Sequence, residues 1–425
     1  MLVTVILAAL VLISSALLVW QFIAALRFPL HKATAAETFS PEITLLKPLK
    51  GFNEHTKECL RSWLAQKYGG HVQVLFGVAD EDDPVCYLVR ELLKEFPNAD
   101  AELVITGAPL GPNAKVSTLI CLHKGCLAKA AKEMKPSSPS RPSRDTQLIV
   151  ISDADVRVPE NFLANAVAPL RDSGVGLVNC FYQLANPTTL AMKWEAVAVN
   201  ADFWSQVLQS NTIEPQDFAL GAVMITRREV LERIGGFEPL LDYLADDYQL
   251  GHRIAATGSR IALSPIVVEC WDKPMSFGAV WNHQLRWART IRVSQPLPYF
   301  FSILSNPILW ATLLALLGNL GGFPLVPDSV LYSHTFSPRA QNLLAPIHVP
   351  WVSVIFITVL VARVLIAGAL QQRLTRRTGT LKYWWLVPAK DFLQFVIWAA
   401  SFVGNTIEWS GKRFRLARGG KLAPK

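Results

Sequence analysis

Long uncharged apolar segments at both ends of the chain enclose a central region in which short apolar runs alternate with polar, helix-like stretches. Residues 1–26, 297–327 and 340–362 contain no charged side chain. Each segment exceeds the roughly 20 residues that a helix needs to cross a bilayer. The pattern therefore predicts membrane helices at the amino terminus and in the last third of the chain.

The central region has the pattern of an α/β domain. Apolar runs predict strands at residues 43–46, 72–78, 103–105, 148–151 and 176–178, and the stretches between them predict helices at 54–66, 84–96, 114–123 and 159–170. Strands that alternate with helices indicate a mostly parallel sheet covered on both faces, with ligands at the carboxyl ends of its strands. Residues 129–147 are rich in Pro, Ser and basic side chains and predict an inserted surface loop.

Four parts follow from this pattern. They are an N-terminal transmembrane anchor (residues 1–27), an α/β domain (39–293), membrane-embedded helices (296–410) and a basic tail (411–425). Within the third part, residues 299–325 and 348–370 predict two spans, and residues 383–409 predict a re-entrant or interfacial segment. Arg363 lies inside a predicted span, and we expect its side chain to snorkel towards the interface.

Composition and charge agree with an integral, multi-pass membrane protein. Hydrophobic residues make up 51% of the chain and charged residues only 17%, whereas soluble proteins carry about 25% charged residues. The net charge of +8 is concentrated in residues 371–382 and in the tail, which favours cytoplasmic segments beside anionic lipid over a nucleic-acid site. Arg27, His31 and Lys32 follow the first apolar segment and predict a cytoplasmic α/β domain.

The strongest candidate for chemistry is a pair of carboxylates, Asp153 and Asp155, directly after the predicted strand 148–151. Mg²⁺ and Mn²⁺ take oxygen ligands, usually one or two carboxylates together with phosphate oxygens of the substrate. A divalent ion at this place could neutralise the charge of a departing diphosphate. The structural alternative is a solvated turn at the end of a strand, since Asp favours turns.

Two further acidic clusters start predicted helices. In the first, Asp83 is a candidate helix cap, while Asp80 can face a ligand. In the second, Asp246 and Asp247 suit the dipole of a helix start, and a carboxylate there can also serve as a general base. A fourth group, His283, Gln284, Arg286 and Trp287, precedes the second membrane segment. Its structural alternative is an interfacial anchor.

Taken in order, these clusters resemble the D, D, D, (Q/R)xxRW signature of membrane-bound inverting glycosyltransferases. Further stretches are similar to the ceramide glucosyltransferase family and to related bacterial ceramide and hopanoid glycosyltransferases: residues 45–51, 79–84, 113–116, 227–237, 244–248, 413–416 and 419–420. The resemblance extends from about residue 43 to 420. One departure is His283, at a place where the signature has Gln or Arg.

The resemblance implies an A-type, Rossmann-like nucleotide-sugar fold plus transmembrane helices. Asp80, Lys115 and Asp153 would bind the nucleotide sugar, and Asp153 with Asp155 would hold the divalent metal, Mg²⁺ or Mn²⁺. Asp247 would be the catalytic base. The acceptor and diphosphate side would be lined by His283, Gln284, Arg286 and Trp287.

The resulting hypothesis is an enzyme that moves a hexose from a UDP-sugar to a lipid hydroxyl, ceramide-like or hopanoid, with inversion. Its partners would be the donor, the membrane lipid acceptor and the bilayer, with no nucleic acid. One alternative is a polyprenyl-phosphate sugar transferase or a polysaccharide synthase, although synthases generally need more spans. Another is a transporter or receptor with a cytoplasmic regulatory domain, which the acidic clusters in the α/β part disfavour.

Overall fold

The computed structural model describes residues 2–34, 39–133, 148–320, 351–409 and 411–424. Its centre is an eight-stranded sheet in the order β3-β2-β1-β4-β7-β6-β8-β5. The strands are β1 (Ile43–Leu49), β2 (Val72–Val78), β3 (Asp100–Ile105), β4 (Leu148–Ser152), β5 (Val156–Arg157), β6 (Val175–Leu184), β7 (Val223–Arg227) and β8 (Arg260–Cys270). All five predicted strands are present. The sequence analysis missed β5, β7 and β8.

The first half of the sheet is parallel and the second half is mixed. Strands β3, β2, β1 and β4 pair in parallel, so that their carboxyl ends share one edge. Strand β7 pairs antiparallel with both β4 and β6, and β6 pairs in parallel with β8. The carboxylates that follow β4 therefore lie at the same edge as the ends of β1 and β2.

Hydrophobic cores on both faces of the sheet confirm the prediction that it is covered twice. In β4, Val150 belongs to one core and Ile149 to the other, because successive side chains of a strand point to opposite faces. The helices of this domain are α2 (Thr56–Leu64), α3 (Val85–Glu95), α4 (Ala114–Glu133), α5 (Phe162–Ala166), α6 (Leu190–Val197), α7 (Trp204–Asn211), α8 (Arg228–Arg233), α9 (Asp246–Ala256) and α10 (Phe277–Ser294). A π-helical segment, Ala198–Phe203, joins α6 to α7.

The predicted loop at 129–147 is partly wrong. Helix α4 continues through residues 129–133, since the alternating Ala and Lys residues there favour a helix. Residues 134–147, with the prolines, lie outside the described part of the chain.

In the described part of the chain, five helices have the apolar character of membrane segments: α1 (Leu2–Arg27), α11 (Pro296–Phe301), α12 (Pro307–Leu320), α13 (Trp351–Thr375) and α14 (Leu386–Ser401). Within the described residues, α1 and α13 are each long and apolar enough to cross a membrane. The described part of the predicted span at 299–325, which ends at Leu320, is not one straight helix. The chain bends by 57° before Pro307, where proline disfavours a helical conformation of the preceding residue.

Arg363 does not snorkel to the interface, contrary to the sequence expectation. Its guanidinium is buried and lies 2.8 Å from Asp202 Oδ2 and 2.9 Å from Asp391 Oδ2. Lys390 contacts the same two carboxylates. This group of two cations and two anions joins α13 and α14 to the π-helical segment of the α/β domain, so each buried charge has a partner.

Candidate active site

Asp153 and Asp155 lie in a tight turn at the carboxyl edge of the sheet. Strand β4 ends at Ser152, and the turn leads directly into β5. The backbone N–H of Asp153 donates to Ala222 O at 3.2 Å, just before the neighbouring strand β7. The central position of β4 thus places both carboxylates where the sequence analysis expected them.

Lys115 joins two of the acidic clusters that the sequence analysis singled out. Its Nζ is 2.7 Å from Asp153 Oδ1 and 3.0 Å from Asp246 Oδ2. Burial by itself lowers the pKa of the Lys115 ammonium, but the charges of Asp153 and Asp246 raise that pKa above its ordinary value. Lys115 is therefore a protonated ammonium that links Asp153 to Asp246 at the sheet edge.

Asp246 and Asp247 occupy the first turn of α9 and have different surroundings. Asp246 pairs with Lys115, whereas Asp247 has no ion pair among the described residues and accepts the N–H of Tyr248 at 2.8 Å. Burial and the charge of Asp246 raise the pKa of Asp247 to about 6, although the charge of Lys115 opposes the shift. A carboxylate with a pKa near neutrality is suited to general base catalysis.

The second carboxylate of the turn, Asp155, has no ion pair among the described residues, although the charge of Lys47 acts on it and lowers its pKa. Burial, together with the charges of Asp153 and Asp272, raises the pKa of Asp155 to about 7. Among the described residues, no group of three or more His, Cys, Asp or Glu side chains could hold a metal ion. Two carboxylates completed by substrate oxygens are nevertheless a usual Mg²⁺ arrangement, so the residues present fit the expected ion.

Lys47 in the neighbouring strand β1 donates hydrogen bonds to the start of the same turn, and no role was predicted for it from the sequence. The side chain is fully buried in β1, and its Nζ donates to Ser152 Oγ at 3.1 Å and to Asp153 O at 2.5 Å. Burial lowers the pKa of Lys47 to about 8. A lysine in an apolar strand was the only sequence signal, and its depth depends on the pairing of β1 with β4.

Asp80 follows β2 at the same edge but is exposed. Its Oδ1 accepts the N–H of Asp82 at 3.0 Å, and no contact joins Asp80 to Lys115 or Asp153 in the described part of the chain. Asp83 binds the start of α3 as expected, accepting the N–H of Val85 at 2.9 Å. It also accepts the N–H of Gly51, which ties two loops at this edge together.

Helix α10 carries the fourth group of residues and is anchored by a carboxylate that the sequence analysis missed. His283 Nδ1 and Gln284 Nε2 both donate to Glu195 Oε1, at 2.8 and 2.9 Å. Glu195 is 1% exposed, and its Oε2 has no hydrogen-bond partner among the described residues. The available signal was Glu195 as the one acid of α6, among mostly apolar residues and Lys193, since a buried charge usually needs a function or a partner.

Arg286 and Trp287 lie on the same helix beside this anchor. Burial lowers the pKa of Arg286, and the charge of Glu195 counteracts the shift. The Trp287 ring lies 4.3 Å from the His283 ring between centroids.

Tyr182 lies in β6, two strands from β4 in the sheet. Burial raises its pKa well above the ordinary value, and the charges of Cys270, Asp247, Glu195 and Asp153 contribute in the same direction. The helix that carries the acid pair contacts the end of α10, where Gln295 Nε2 donates to the Tyr248 hydroxyl at 2.8 Å.

Comparison with known proteins gives consistent matches over the chain. The sequence profile of "Glycosyl transferase family 21" matches residues 3–333 and 323–422. Ceramide glucosyltransferase 3 of Caenorhabditis elegans is 21% identical over 405 residues, which are 94% of this chain and 78% of that protein. Two other ceramide glucosyltransferases match over shorter lengths. Ceramide glucosyltransferase 1 of C. elegans is 22% identical over 238 residues, which are 56% of this chain and 47% of that protein. The ceramide glucosyltransferase of Candida albicans is 30% identical over 139 residues, which are 30% of this chain and 22% of that protein.

Two solved structures that follow a similar course of the chain have low sequence identity to this protein. A Pyrobaculum calidifontis mannosyltransferase in complex with GDP-Man and Mn²⁺ is 19% identical, with a TM-score of 0.43, and the match covers 92% of this chain and 99% of that one. S. aureus TarS in complex with UDP-GlcNAc is 12% identical, with a TM-score of 0.36, and covers 90% and 99%.

Proposed function

The chain belongs to glycosyl transferase family 21, and from this premise we propose that it transfers a hexose from a UDP-sugar to a membrane-lipid hydroxyl. The family match over nearly the whole chain confirms three sequence predictions: the resemblance to ceramide glucosyltransferases, the α/β fold class with membrane helices, and the activity of a glycosyltransferase. The donor, the acceptor, the inversion and the role of each residue belong to the proposal.

The observation that carries the proposal is the contact of Lys115 with Asp153 and Asp246, with Asp247 next in the chain. It joins three separate segments in one charged site at the carboxyl edge of a sheet, where α/β folds bind nucleotides. In the proposed complex, Lys115 and Asp80 bind the nucleotide part of the donor, and Asp153 would face the donor diphosphate through the divalent ion that it would hold with Asp155.

Asp247 is the proposed general base. A lipid hydroxyl is a weak nucleophile, and its proton must leave as the oxygen attacks the anomeric carbon. With a pKa of about 6, Asp247 is ionised at neutral pH and still basic enough to accept that proton. One base and one direct displacement of the diphosphate give inversion at the anomeric carbon.

Asp153 and Asp155 are the proposed residues that hold Mg²⁺ or Mn²⁺. When bound, such an ion supplies positive charge for the departing diphosphate. The raised pKa of Asp155 supports this assignment, since a bound divalent cation would stabilise the charged form of the carboxylate.

The α10 residues form the proposed acceptor side. Glu195 accepts from His283 and Gln284 at one oxygen and thereby fixes the orientation of both side chains. The departure from the signature at His283 thus retains a hydrogen-bond donor. Helix α10 leads through α11 into the membrane segment α12, which suits an acceptor, ceramide-like or hopanoid, that enters laterally from the bilayer.

The proposed arrangement is multi-pass, with the α/β domain on the cytoplasmic face. Helices α1 and α13 are spans, and the bent segment α11–α12 is the partner crossing of α13. Helix α14 has 16 residues, about 24 Å, which is short for a hydrocarbon core of roughly 30 Å. An interfacial or re-entrant α14 keeps the tail on the side of the α/β domain. The backbone hydrogen bonds between the tail and residues 242–244 of that domain support this arrangement.

The experiment incubates the purified protein with radiolabelled UDP-sugars, one at a time, and total membrane lipid, followed by mass spectrometry of labelled lipid. We expect one UDP-hexose to give a glycolipid and free UDP. Transfer only to polyprenyl phosphate, or release of UDP without any labelled lipid, would contradict the proposed acceptor.

A further inference from the structure

The C-terminal sheet, residues 406–424, is a folded element and not a free basic tail. It consists of the antiparallel strands β9 (Thr406–Trp409), β10 (Lys412–Leu416) and β11 (Leu422–Pro424). Its buried residues form a small core that packs against Leu244 and Val293 of the α/β domain. No residue of this sheet has a role in the proposed reaction.

One attachment of the C-terminal sheet is to the turn that precedes the acid pair. Leu422 N–H donates to Asp242 O at 2.7 Å, and Leu244 N–H donates to Gly420 O at 3.3 Å. Between them, Tyr243 and Lys421 form an antiparallel bridge. Residues 242–244, which lead directly into α9, therefore pair with the sheet along their backbone.

The opposite side of this turn is held by the start of the Lys115 helix. The fully buried side chain of Asn113 donates from Nδ2 to Tyr243 O at 2.7 Å, and its backbone N–H donates to Leu241 O at 3.1 Å. Because Lys115 follows two residues later and pairs with Asp246, a movement of the turn would alter that ion pair as well.

The second attachment is to α10, after the candidate acceptor residues. Arg289 donates to Thr406 O and, at 2.9 Å, to Val403 O. Arg292 donates to Asn405 Oδ1. The C-terminal sheet thus bridges the two elements that carry the proposed base and the proposed acceptor side.

We propose that the C-terminal sheet is a positioning element of the active site, in which Leu422 and Arg289 set the position of the Asp246–Asp247 turn relative to α10. The inference rests on the proposed function for its effect on turnover. A base must lie within hydrogen-bond distance of the acceptor hydroxyl, and a displacement of about 1 Å can lower the rate roughly 100-fold. Neither residue contacts a reacting atom in this account.

A matched pair of variants at Leu422 separates positioning from stability. Leu422→Pro removes the N–H that donates to Asp242, whereas Leu422→Ala keeps this N–H and loses apolar contacts of the small core. Wild type and both variants, as full-length chains, are compared for kcat, for the Kd of UDP and for melting temperature. We expect kcat of Leu422→Pro to fall about tenfold or more below that of Leu422→Ala, with a UDP Kd within threefold of wild type.

Hydrogen exchange measured by mass spectrometry provides a readout that does not depend on the reaction. Peptides covering residues 241–248 are expected to exchange faster in Leu422→Pro than in Leu422→Ala, while peptides of the distant strand β3 exchange equally. Equal exchange in 241–248, or equal kcat in the two variants, would overturn the inference. If wild type binds UDP but transfers no hexose, the proposed function fails, and the exchange comparison still decides the inference.

Arg289→Lys covers the case in which Leu422→Pro does not fold. One ammonium cannot reproduce the forked contact of a guanidinium with two carbonyls. We expect a lower kcat with unchanged UDP affinity and faster exchange in peptides around residue 405. Wild-type kcat and wild-type exchange in folded Arg289→Lys would refute the bridging role.

Discussion

Replacement of Asp247 by Asn tests the proposed base most directly. Asn keeps the shape and the acceptor oxygen that receives the Tyr248 N–H, but it cannot take a proton at neutral pH. At pH 8, about two units above the pKa of Asp247, nearly all of the wild-type side chain is ionised. The full base contribution should therefore be lost, a fall in kcat of about 10²–10⁴-fold, or roughly 3–5 kcal/mol.

The neighbouring variant Asp246→Asn is the matched control. Lys115 loses one of two carboxylate partners but keeps Asp153 at 2.7 Å. One charged hydrogen bond of about 1.5 kcal/mol corresponds to roughly a tenfold effect, well below that of Asp247→Asn. UDP affinity should hardly change in Asp247→Asn, because the base acts on the acceptor hydroxyl.

The pH profile adds a second test of the same assignment. The base must be deprotonated, so wild-type kcat/KM should fall as the pH drops through about 6. Asp246→Asn removes a negative charge that raises the pKa of Asp247, and its acidic limb should move to lower pH. Near-wild-type turnover of folded Asp247→Asn, or an unmoved limb in Asp246→Asn, would refute the reasoning.

Four further outcomes are expected. Chelation should abolish transfer and Mg²⁺ or Mn²⁺ should restore it, while Asp153→Ala weakens UDP-sugar binding in calorimetry; full activity in excess chelator would reject the metal role. Gly221→Ala would place a Cβ 2.7 Å from a carboxylate oxygen of the proposed base, so kcat should drop with donor affinity unchanged. Gly251→Ala would bring a Cβ to 2.2 Å from the backbone nitrogen of Ala219 and should destabilise the fold by about 3 kcal/mol. The control Gly125→Ala, whose added Cβ meets nothing within 4 Å, should leave the melting temperature unchanged or raise it. A cysteine replacing Gly419 should be protected from a membrane-impermeant thiol reagent in intact cells, and labelling from outside would contradict the proposed topology.

Local sequence patterns were sufficient for the elements on which the site is built. The apolar runs at residues 72–78 and 148–151 predict β2 and β4 almost to their ends, because buried strands need continuous apolar side chains. Acids that directly follow such strands must lie at the sheet edge, so the placement of Asp153 and Asp155 was predictable. The order of motifs was sufficient for the family, which the profile match confirms.

Contacts between distant segments were beyond those patterns. Glu195 and His283 are 88 residues apart, and only the packing of α6 against α10 makes the acid an anchor of the candidate acceptor side. The side chain of Arg363 was expected to extend to the membrane interface. Instead it is buried and pairs with Asp202 and Asp391, which belong to separate elements. A charge in an apolar sequence shows that a partner is needed, but it does not show which one.

The sequence by itself determined the α/β class, the apolar membrane segments, the acidic clusters and the family, since each depends on periodicity, residue type or order along the chain. The tertiary structure decided which acid of the pair binds Lys115 and which is left unpaired, and it turned the tail into a sheet that contacts both sides of the site. The physical reason is that ion pairs and backbone pairing act over a few ångströms in space. Sequence periodicity reports only which face of an element is buried, and the fold alone decides what that face meets.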